Sequence, residues 1–370
     1  PIGDGEPCPV GYTGGGCTGD GSGWTEAEAP CQQIETLHQV ILTNDIAIQA
    51  HETTQGEWKQ VFDGWNPSEF PQCGDNCPIE SVSWFDALVY ANRRSEQGGF
   101  QPCYQFTAVL CSDGTYPTDQ TNTLFCMNAE NGGVAEATVV LTSFDGTPYR
   151  CEGYRLPTEA EWEYSARAGS LTAIYPSQSS DGTLTDSNLQ EIAWYGENSL
   201  VQADWGIAIT YCPFVHCGPQ PTSMKAPNSW GLRDMIGNVS EWCWEPRCDY
   251  DTGLTVDPVE ECTVYDNRRT VRGGGWKSHK NHCKSSMRLI EQAEVGAMDV
   301  GFRLVRTIPI EPNICGNGLC ESDNDEDCTS CPTDCGCDCG EECQGNQCVF
   351  VACDGKECGD DGCGGSCGTC

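Results

Sequence analysis

The distribution of cysteines constrains this chain more than any other feature of its sequence. Of its 29 cysteines, fifteen lie in residues 1–314 and fourteen in residues 315–370, where they make up a quarter of the residues. Cysteine usage this dense is typical of proteins that form disulfides in an oxidising compartment. The sequence therefore predicts a secreted or cell-surface protein. Because the chain starts at Pro1 with no basic-then-apolar leader, we interpret it as a product whose export signal has been removed.

Charge and hydropathy exclude two classes of partner. Acidic residues outnumber basic ones by 55 to 19, for a net charge of −36. Binding to nucleic-acid phosphates needs clustered Lys and Arg, so no nucleic-acid partner is expected. No apolar run reaches the roughly 18 residues of a bilayer-spanning helix, so no membrane span is expected either.

Composition divides the chain into four segments. Residues 1–31 are a Gly- and Cys-rich arm, 32–307 carry a globular pattern, 308–314 are a Pro-spaced linker, and 315–370 are a Cys-rich tail. The tail has too few large apolar residues to form a core, so its order must come from disulfides or metals. We favour disulfides over zinc at its two C-x2-C pairs, because an exported chain is expected to oxidise them.

Local patterns predict an α+β domain with little regular structure. Three capping boxes predict helices that begin after Thr54, Ser83 and Thr158, with stops at residues 98–99 for the second helix and Gly169 for the third. The strand candidates are short and are separated by loops rich in Gly, Asn and Pro. They are residues 39–42, 46–48, 139–141, 270–272 and 301–305.

Six strings in the globular segment resemble the formylglycine-generating enzyme (FGE-sulfatase) family, in that family's order. They are residues 51–58 (HETTQGEW), 82–87 (VSWFDA), 154–164 (YRLPTEAEWEY), 227–242 (PNSWGLRDMIGNVSEW), 272–276 (RGGGW) and 301–305 (GFRLV). The resemblance implies a C-type-lectin-like FGE fold stabilised by metal and buried tryptophans. Residues 353–370 resemble Cys-rich repeats of secreted proteins from myxobacteria-like bacteria.

The resemblance also poses the catalytic question. In the oxidases of this family, two cysteines after the Gly-Gly block hold Cu(I), for which soft thiolates are suited. Counted from Gly273, the first of these positions is Ser278 and the second is Cys283. A hydroxyl is a poor ligand for Cu(I), so copper is not expected. Cys283 is predicted to form a disulfide, most simply with Cys262, with a free reactive thiol as the alternative.

Other metals are weighed in the same way. Residues 234–241 resemble the family's structural calcium loop, which implies a Ca²⁺ site formed by the Asp234 side chain, the Gly237 and Val239 carbonyls, and the Glu241 carboxylate. The alternative is that Glu241 caps a turn or pairs with an arginine. The iron enzymes of the superfamily use three histidines, and only His279 and His282 lie close together, so we interpret these two as surface residues.

We therefore interpret the chain as a secreted, non-catalytic FGE-fold structural or binding module. The arm and the tail make self-association, as in an extracellular filament or surface assembly, or binding to other extracellular proteins the expected partnership. One alternative is a divergent copper-dependent formylglycine-generating oxidase, or another thiol oxidase, that uses Cys283. Another is a lectin-like binder whose exposed Trp and Tyr stack on glycans.

Partial reduction should loosen the tail before the body. Residues 315–370 depend on cross-links, each of which stabilises by about 2–4 kcal/mol, whereas residues 32–307 contain their own apolar core. Limited proteolysis after mild reductant should cut beyond Pro312 and leave the body intact. If the tail mediates assembly, truncation at Pro312 should leave folded monomers. Cleavage within the body first would contradict the prediction.

Overall fold

The computed structural model describes residues 39–170, 186–200, 217–246, 248, 253–259, 267–309, 341–344 and 347–350. The chain divides into two compact units, Pro1–Ile308 and Pro309–Cys370. The arm over residues 1–31 and most of the Cys-rich tail lie outside the described residues. No described helix is long and apolar enough to cross a bilayer.

Capping boxes set the starts of three helices, as predicted: α1 (Gln55–Val61), α2 (Trp84–Gly98) and α3 (Glu159–Arg167). A fourth described helix is α4 (Asp186–Ile192). The hydroxyls of Thr54, Ser83 and Thr158 each accept the N–H three residues on, and the acid at that position accepts the N–H of the cap. Gly99 ends α2 in the left-handed region. The predicted stop of α3 at Gly169 is one residue late, because Ala168 takes the left-handed cap.

The strands are short and form small sheets. In the first unit they are β1 (Val40–Ile41), β2 (Ile46–Ile48), β3 (Tyr104–Cys111), β4 (Val134–Leu141), β5 (Ser240–Trp242), β6 (Thr255–Val256), β7 (Arg268–Arg272), β8 (Arg288–Gln292), β9 (Val300–Gly301) and β10 (Val305–Thr307). The largest sheet has the order β8-β7-β5-β9, with β5 parallel to β9. The remaining strands pair as β1–β6, β2–β10 and β3–β4. The second unit contributes β11 (Glu341–Gln344) paired with β12 (Gln347–Phe350).

The α+β architecture with little regular structure is confirmed, and one predicted strand differs. Residues 301–305 are split between β9 and β10. The carbonyl of Phe302 accepts the Thr53 N–H and that of Leu304 accepts the Gln49 N–H, both at 2.9 Å. These backbone groups therefore bond to the loop before α1 and not to a neighbouring sheet strand.

Tryptophans form the centre of the core. Trp58, Trp84, Trp162, Trp242 and Trp276 are each at most 1% exposed. The indole N–H of Trp84 donates to the Cys243 carbonyl at 3.0 Å, and that of Trp242 donates to the Val82 carbonyl at 3.1 Å. Two of these large side chains therefore bury their apolar surface and still satisfy their polar atoms.

Helix α3 is fastened to the sheet by buried ion pairs. All three of its glutamates are buried, and each binds an arginine that is fully buried. The pairs are Glu159 with Arg288, Glu161 with Arg155, and Glu163 with Arg272. Removing one partner of such a pair leaves an uncompensated charge inside the protein, at a typical cost of about 3–5 kcal/mol.

Disulfides staple the β3–β4 hairpin. Cys111 bonds Cys126, and Cys103 at the base of β3 bonds Cys151. A further bridge joins Cys73 to Cys77. The bridges within the body agree with the predicted oxidising chemistry of these cysteines.

A buried carboxylate holds the loop between α1 and α2. Glu80 is fully buried and accepts hydrogen bonds from the Ser68 hydroxyl, from the Ser81 hydroxyl at 2.7 Å and from the Phe70 N–H at 3.3 Å. Burial raises the pKa of Glu80 to about 7, although these hydrogen bonds act in the opposite direction. The folded protein therefore retains a proton on Glu80 where the unfolded chain has lost it.

Stability should consequently fall as pH rises from about 4.5 to about 7, through the window set by Glu80. Because Glu80 binds its proton more tightly in the folded protein, it contributes on the order of 3 kcal/mol to the free energy of unfolding when the pH is below its pKa in the unfolded chain. This contribution is lost once the pH exceeds its pKa in the folded protein. The free energy of unfolding, measured with urea at each pH, should depend less steeply on pH for Glu80→Gln than for the wild type. Glu130→Gln, at an exposed site, is the control and should keep the wild-type slope. Parallel curves for wild type and Glu80→Gln would contradict the assignment.

Candidate functional site

A glycine turn after β7 forms the scaffold of the candidate site. Gly273 and Gly274 both lie in the left-handed region, with φ of +86° and +73°. A Cβ at Gly273 would come 3.0 Å from the Met235 carbonyl oxygen, and one at Gly274 would come 2.9 Å from the His282 carbonyl oxygen. Only glycine fits at these two positions. Because glycine has no side chain, residues 276–283 can pack closely on the turn.

Ser278 and Cys283, the two positions of the copper pair, are both engaged inside this turn. The Ser278 hydroxyl accepts the Gly275 N–H at 3.0 Å. Cys283 is fully buried, and its thiol donates to the His279 carbonyl at 3.7 Å. Burial raises the pKa of Cys283 to about 12, so the thiol is neutral at physiological pH. With a hydroxyl at Ser278, the turn offers one thiol and not the two thiolates of a linear Cu(I) pair.

The predicted disulfide of Cys283 is wrong. Cys283 is a free thiol packed beside Trp162 and Met235 in the second apolar cluster of the body. Cys243 is a second free, buried thiol in the same cluster, and the sequence analysis did not single it out. Burial raises the pKa of Cys243 well above its usual value, so neither thiol has the exposure or the acidity of a reactive cysteine.

The histidine pair lies on a short 3-10 turn, Lys280–His282. The Nδ1 atom of His279 accepts the Asn281 N–H at 3.3 Å. Burial lowers the pKa of His282. Across the part of the chain that the structure describes, no group of three or more His, Cys, Asp or Glu residues is arranged to hold a metal ion.

Glu241, predicted as a calcium ligand, has both carboxylate oxygens bound to protein donors. Its Oε1 and Oε2 accept from Nη2 and Nε of Arg303 at 2.7 Å, and its Oε2 also accepts the Trp162 indole N–H at 2.7 Å. All three side chains are buried. The arginine pairing is the alternative that the sequence left open, and it already compensates the charge of Glu241.

Asp234 differs from Glu241. Its Oδ2 accepts the Ser223 N–H at 2.6 Å, but its buried Oδ1 has no hydrogen-bond partner among the described residues. Burial raises the pKa of Asp234. The Asp234 end of the loop therefore offers an unused, buried oxygen that suits a hard cation, whereas the Glu241 end does not.

Glu52 completes this acidic cluster and was missed as a site residue. Its carboxylate accepts the Val239 N–H at 3.0 Å and the Asn238 side-chain N–H at 2.7 Å. Burial, Asp234 and Glu241 together raise the pKa of Glu52 well above its usual range. Three buried carboxylates thus lie around Arg303, and Lys225 and His51 also act on the charge of Asp234. Glu52 and Arg303 both belong to strings quoted for the family resemblance, but one sequence gives no sign that they meet.

The remaining loop residues are fixed by backbone geometry. Gly237 has φ of +82°, and a Cβ there would come 2.4 Å from the Trp194 carbonyl oxygen. Asn238, also at positive φ, donates its N–H to that same carbonyl at 2.7 Å. The loop therefore folds back on residues 193–195, and the Val239 N–H reaches the Glu52 carboxylate. That the Gly237 and Val239 carbonyls bind calcium stays a prediction.

A second candidate site lies on the surface. Tyr164 of α3 and Trp230 form an edge-to-face pair with ring centroids 4.9 Å apart, and each of the two residues is about half exposed. The pair borders a groove of about 470 Å³ whose opposite wall is formed by β1 and β2. The groove lies outside every segment that the sequence analysis assigned to chemistry.

Comparisons with known proteins place these observations in a family. Residues 13–308 match the family model described as a sulfatase-modifying factor enzyme 1-like domain. The chaperone protein LppX of Paenibacillus barcinonensis is 31% identical over 274 residues, which cover 72% of this chain and 82% of that protein. The formylglycine-generating enzyme of Streptomyces coelicolor is 33% identical over 168 residues, 43% of this chain and 49% of that enzyme.

Among solved structures, Treponema denticola variable protein 1 superposes with a TM-score of 0.54 at 28% sequence identity, covering 76% of this chain and 90% of that one. The chain spans about half the length of the formylglycine-generating enzymes that it matches, 49% and 52% for those of S. coelicolor and Mycobacterium tuberculosis. The match to the LppX protein and to the variable protein extends over most of their length.

Proposed function

The chain belongs to the FGE-sulfatase family, and we propose that within it this protein is a non-catalytic binding module and not an oxidase. The observation that carries the proposal is the state of the copper positions. Cys283 supplies one buried thiol, and Ser278 supplies a hydroxyl where a second thiolate would be needed. The donor set does not support Cu(I) chemistry.

The proposed ligand is a polypeptide. Two relatives matched over most of their own length are named for roles other than formylglycine formation, a chaperone protein and a variable protein. A fold that displays surface residues on a rigid body can change ligands without changing its core. We extend the chaperone's printed role to this chain as a proposal: the module binds segments of other extracellular proteins.

We further propose that the module is secreted and works in an assembly. Disulfides in the described body support an oxidising compartment. The arm over residues 1–31 and the tail over residues 315–370 would couple it to other copies, as in a filament, or to other extracellular proteins. The exposed Tyr164–Trp230 pair is the observation that favours the second candidate function, a glycan binder, since aromatic faces stack on sugars.

The copper assignment predicts inactivity. The purified protein should lose added Cu(I) to a chelating competitor and should not convert a Cys-containing sulfatase-type peptide to formylglycine. Ser278→Cys supplies the missing thiol and is the matched comparison for copper retention. Mass spectrometry of the peptide and metal analysis of the protein report the two outcomes. Stoichiometric copper in the wild type, with turnover abolished by Cys283→Ser, would establish the oxidase in place of the binding module.

We also propose that residues 234–241 bind Ca²⁺, with Asp234 as the side-chain ligand and Glu241 in a supporting role. The support is the buried Oδ1 of Asp234, which lacks a partner among the described residues, and the excess of buried negative charge beside Glu52. A divalent cation there would compensate that charge. Glu241 orients the loop through Arg303 and Trp162.

Two substitutions separate metal binding from the ion pair. Chelation should lower the thermal midpoint of the wild type, since a cation at a hundredfold excess over its Kd stabilises by about 2.7 kcal/mol. Asp234→Asn should abolish that calcium-dependent difference. Glu241→Gln should lower the midpoint with and without calcium, because Arg303 is left buried and uncompensated. A wild-type midpoint that chelator leaves unchanged, with no calcium found by mass spectrometry, would refute the site.

A further inference from the structure

The groove beside Tyr164 and Trp230 has the dimensions of a binding site. Its volume of about 470 Å³ lies within the range of about 300–1,000 Å³ that is usual for ligand pockets. Aliphatic side chains of β1 and β2, including Ile41, Ile46 and Ile48, form one wall, and the end of α3 forms the other. The wall is therefore apolar and belongs to fixed secondary structure.

Trp230 is held rigidly at the rim. Its backbone N–H donates to the side-chain oxygen of Asn228 at 3.0 Å, and the Asn228 side-chain N–H donates in turn to the Ser165 carbonyl in α3 at 2.7 Å. Gly231 closes the turn at φ of +85°. The backbone at Trp230 is thus fixed beside the helix that carries Tyr164, the indole packs on the Tyr164 ring, and about half of the Trp230 surface remains exposed. A preorganised aromatic of this kind loses little entropy when it contacts a ligand.

The exposed apolar surface continues beyond the groove. Ile41 of β1 and its registered partner Val256 of β6 are both exposed, as is Leu254 next to that strand. Ile308, also exposed, donates its N–H to the carbonyl of Asp45 in the groove wall at 2.8 Å. Clusters of exposed apolar side chains around a groove mark sites of protein interaction.

The groove lining carries one acidic residue, Asp45, and one basic residue, Arg167. The Arg167 guanidinium is turned to Glu163 at 2.8 Å, a buried carboxylate that also binds Arg272. Asp45 lines the groove and Asp257 binds the adjoining turn through Thr43, and neither carboxylate faces a cation among the described residues. An apolar ligand flanked by positive charge is complementary to this arrangement.

We propose that this groove binds an extended, apolar segment of a partner polypeptide flanked by Lys or Arg. The inference rests on the proposed function, since it names the site and the chemistry of the ligand of the binding module. Tyr164 and Trp230 contact the apolar side chains of the segment, β1 and β2 supply the facing wall, and Asp45 meets the flanking charge. Aromatic anchors of this kind carry most of the affinity of peptide interfaces.

The test measures binding of three probes to the full chain by fluorescence anisotropy and calorimetry. The first probe is a labelled peptide of alternating Leu and Thr with two lysines at each end, the second is the same peptide with glutamates in place of the lysines, and the third is chitotriose. The lysine peptide should bind saturably, and the glutamate peptide at least about tenfold more weakly. Trp230→Ala and Ile41→Asp should each raise the Kd for the lysine peptide by about tenfold or more.

Phe144→Ala is the matched control, because Phe144 is 89% exposed and lies on the β3–β4 side of the body. Its Kd should equal that of the wild type within twofold, and the thermal midpoints of all variants should agree. If Trp230→Ala and Ile41→Asp leave the Kd for the lysine peptide unchanged, the groove is not the peptide site, although the protein is still a binding module. Saturable binding of chitotriose alone would replace the peptide by a glycan. Binding of no probe, together with formylglycine formation, would overturn both proposals.

Discussion

Charge buried as matched glutamate–arginine pairs is the constraint on which the rest of this fold depends. The three glutamates of α3 reach three arginines, in β7, in β8 and just before the helix, and Glu241 of β5 reaches Arg303 between β9 and β10. The strands of the largest sheet are two to five residues long, and ladders this short contribute little stability alone. The ion pairs supply the missing contacts, and because each one is costly when broken, they select a single arrangement of the segments.

Packing, and not a reactive group, accounts for the glycine turn after β7. The glycine turn at residues 273–275 is required by close packing on residues 235 and 282, and neither contact involves a reactive group. Cys283 and Ser278 fill the space that remains with a neutral thiol and a hydroxyl. The turn that presents a metal pair in the oxidases is here part of the core, and the ligand surface that we propose lies elsewhere, on the rim where α3 meets β1 and β2.

A structural feature could be predicted from the sequence when the residues that form it lie close together along the chain. The three capping boxes are local, so Thr54, Ser83 and Thr158 sufficed to place helix starts. The strand over 301–305 was misjudged because its carbonyls bond to residues 49 and 53, some 250 positions away. The partner of Glu241 and the free state of Cys283 are equally non-local. The calcium and assembly expectations remain predictions, because they concern ligands and segments beyond the described body.

The pairing of β2 with β10 has a consequence for how such a module is built into larger proteins. The ladder sets Ile46 opposite Thr307, so segments near the start and the end of the described body lie side by side. A domain whose ends are adjacent can be inserted into a polypeptide without separating the segments on either side of it. Genetic recombination could therefore insert or remove the whole body within a longer chain while the spacing of the flanking segments is preserved.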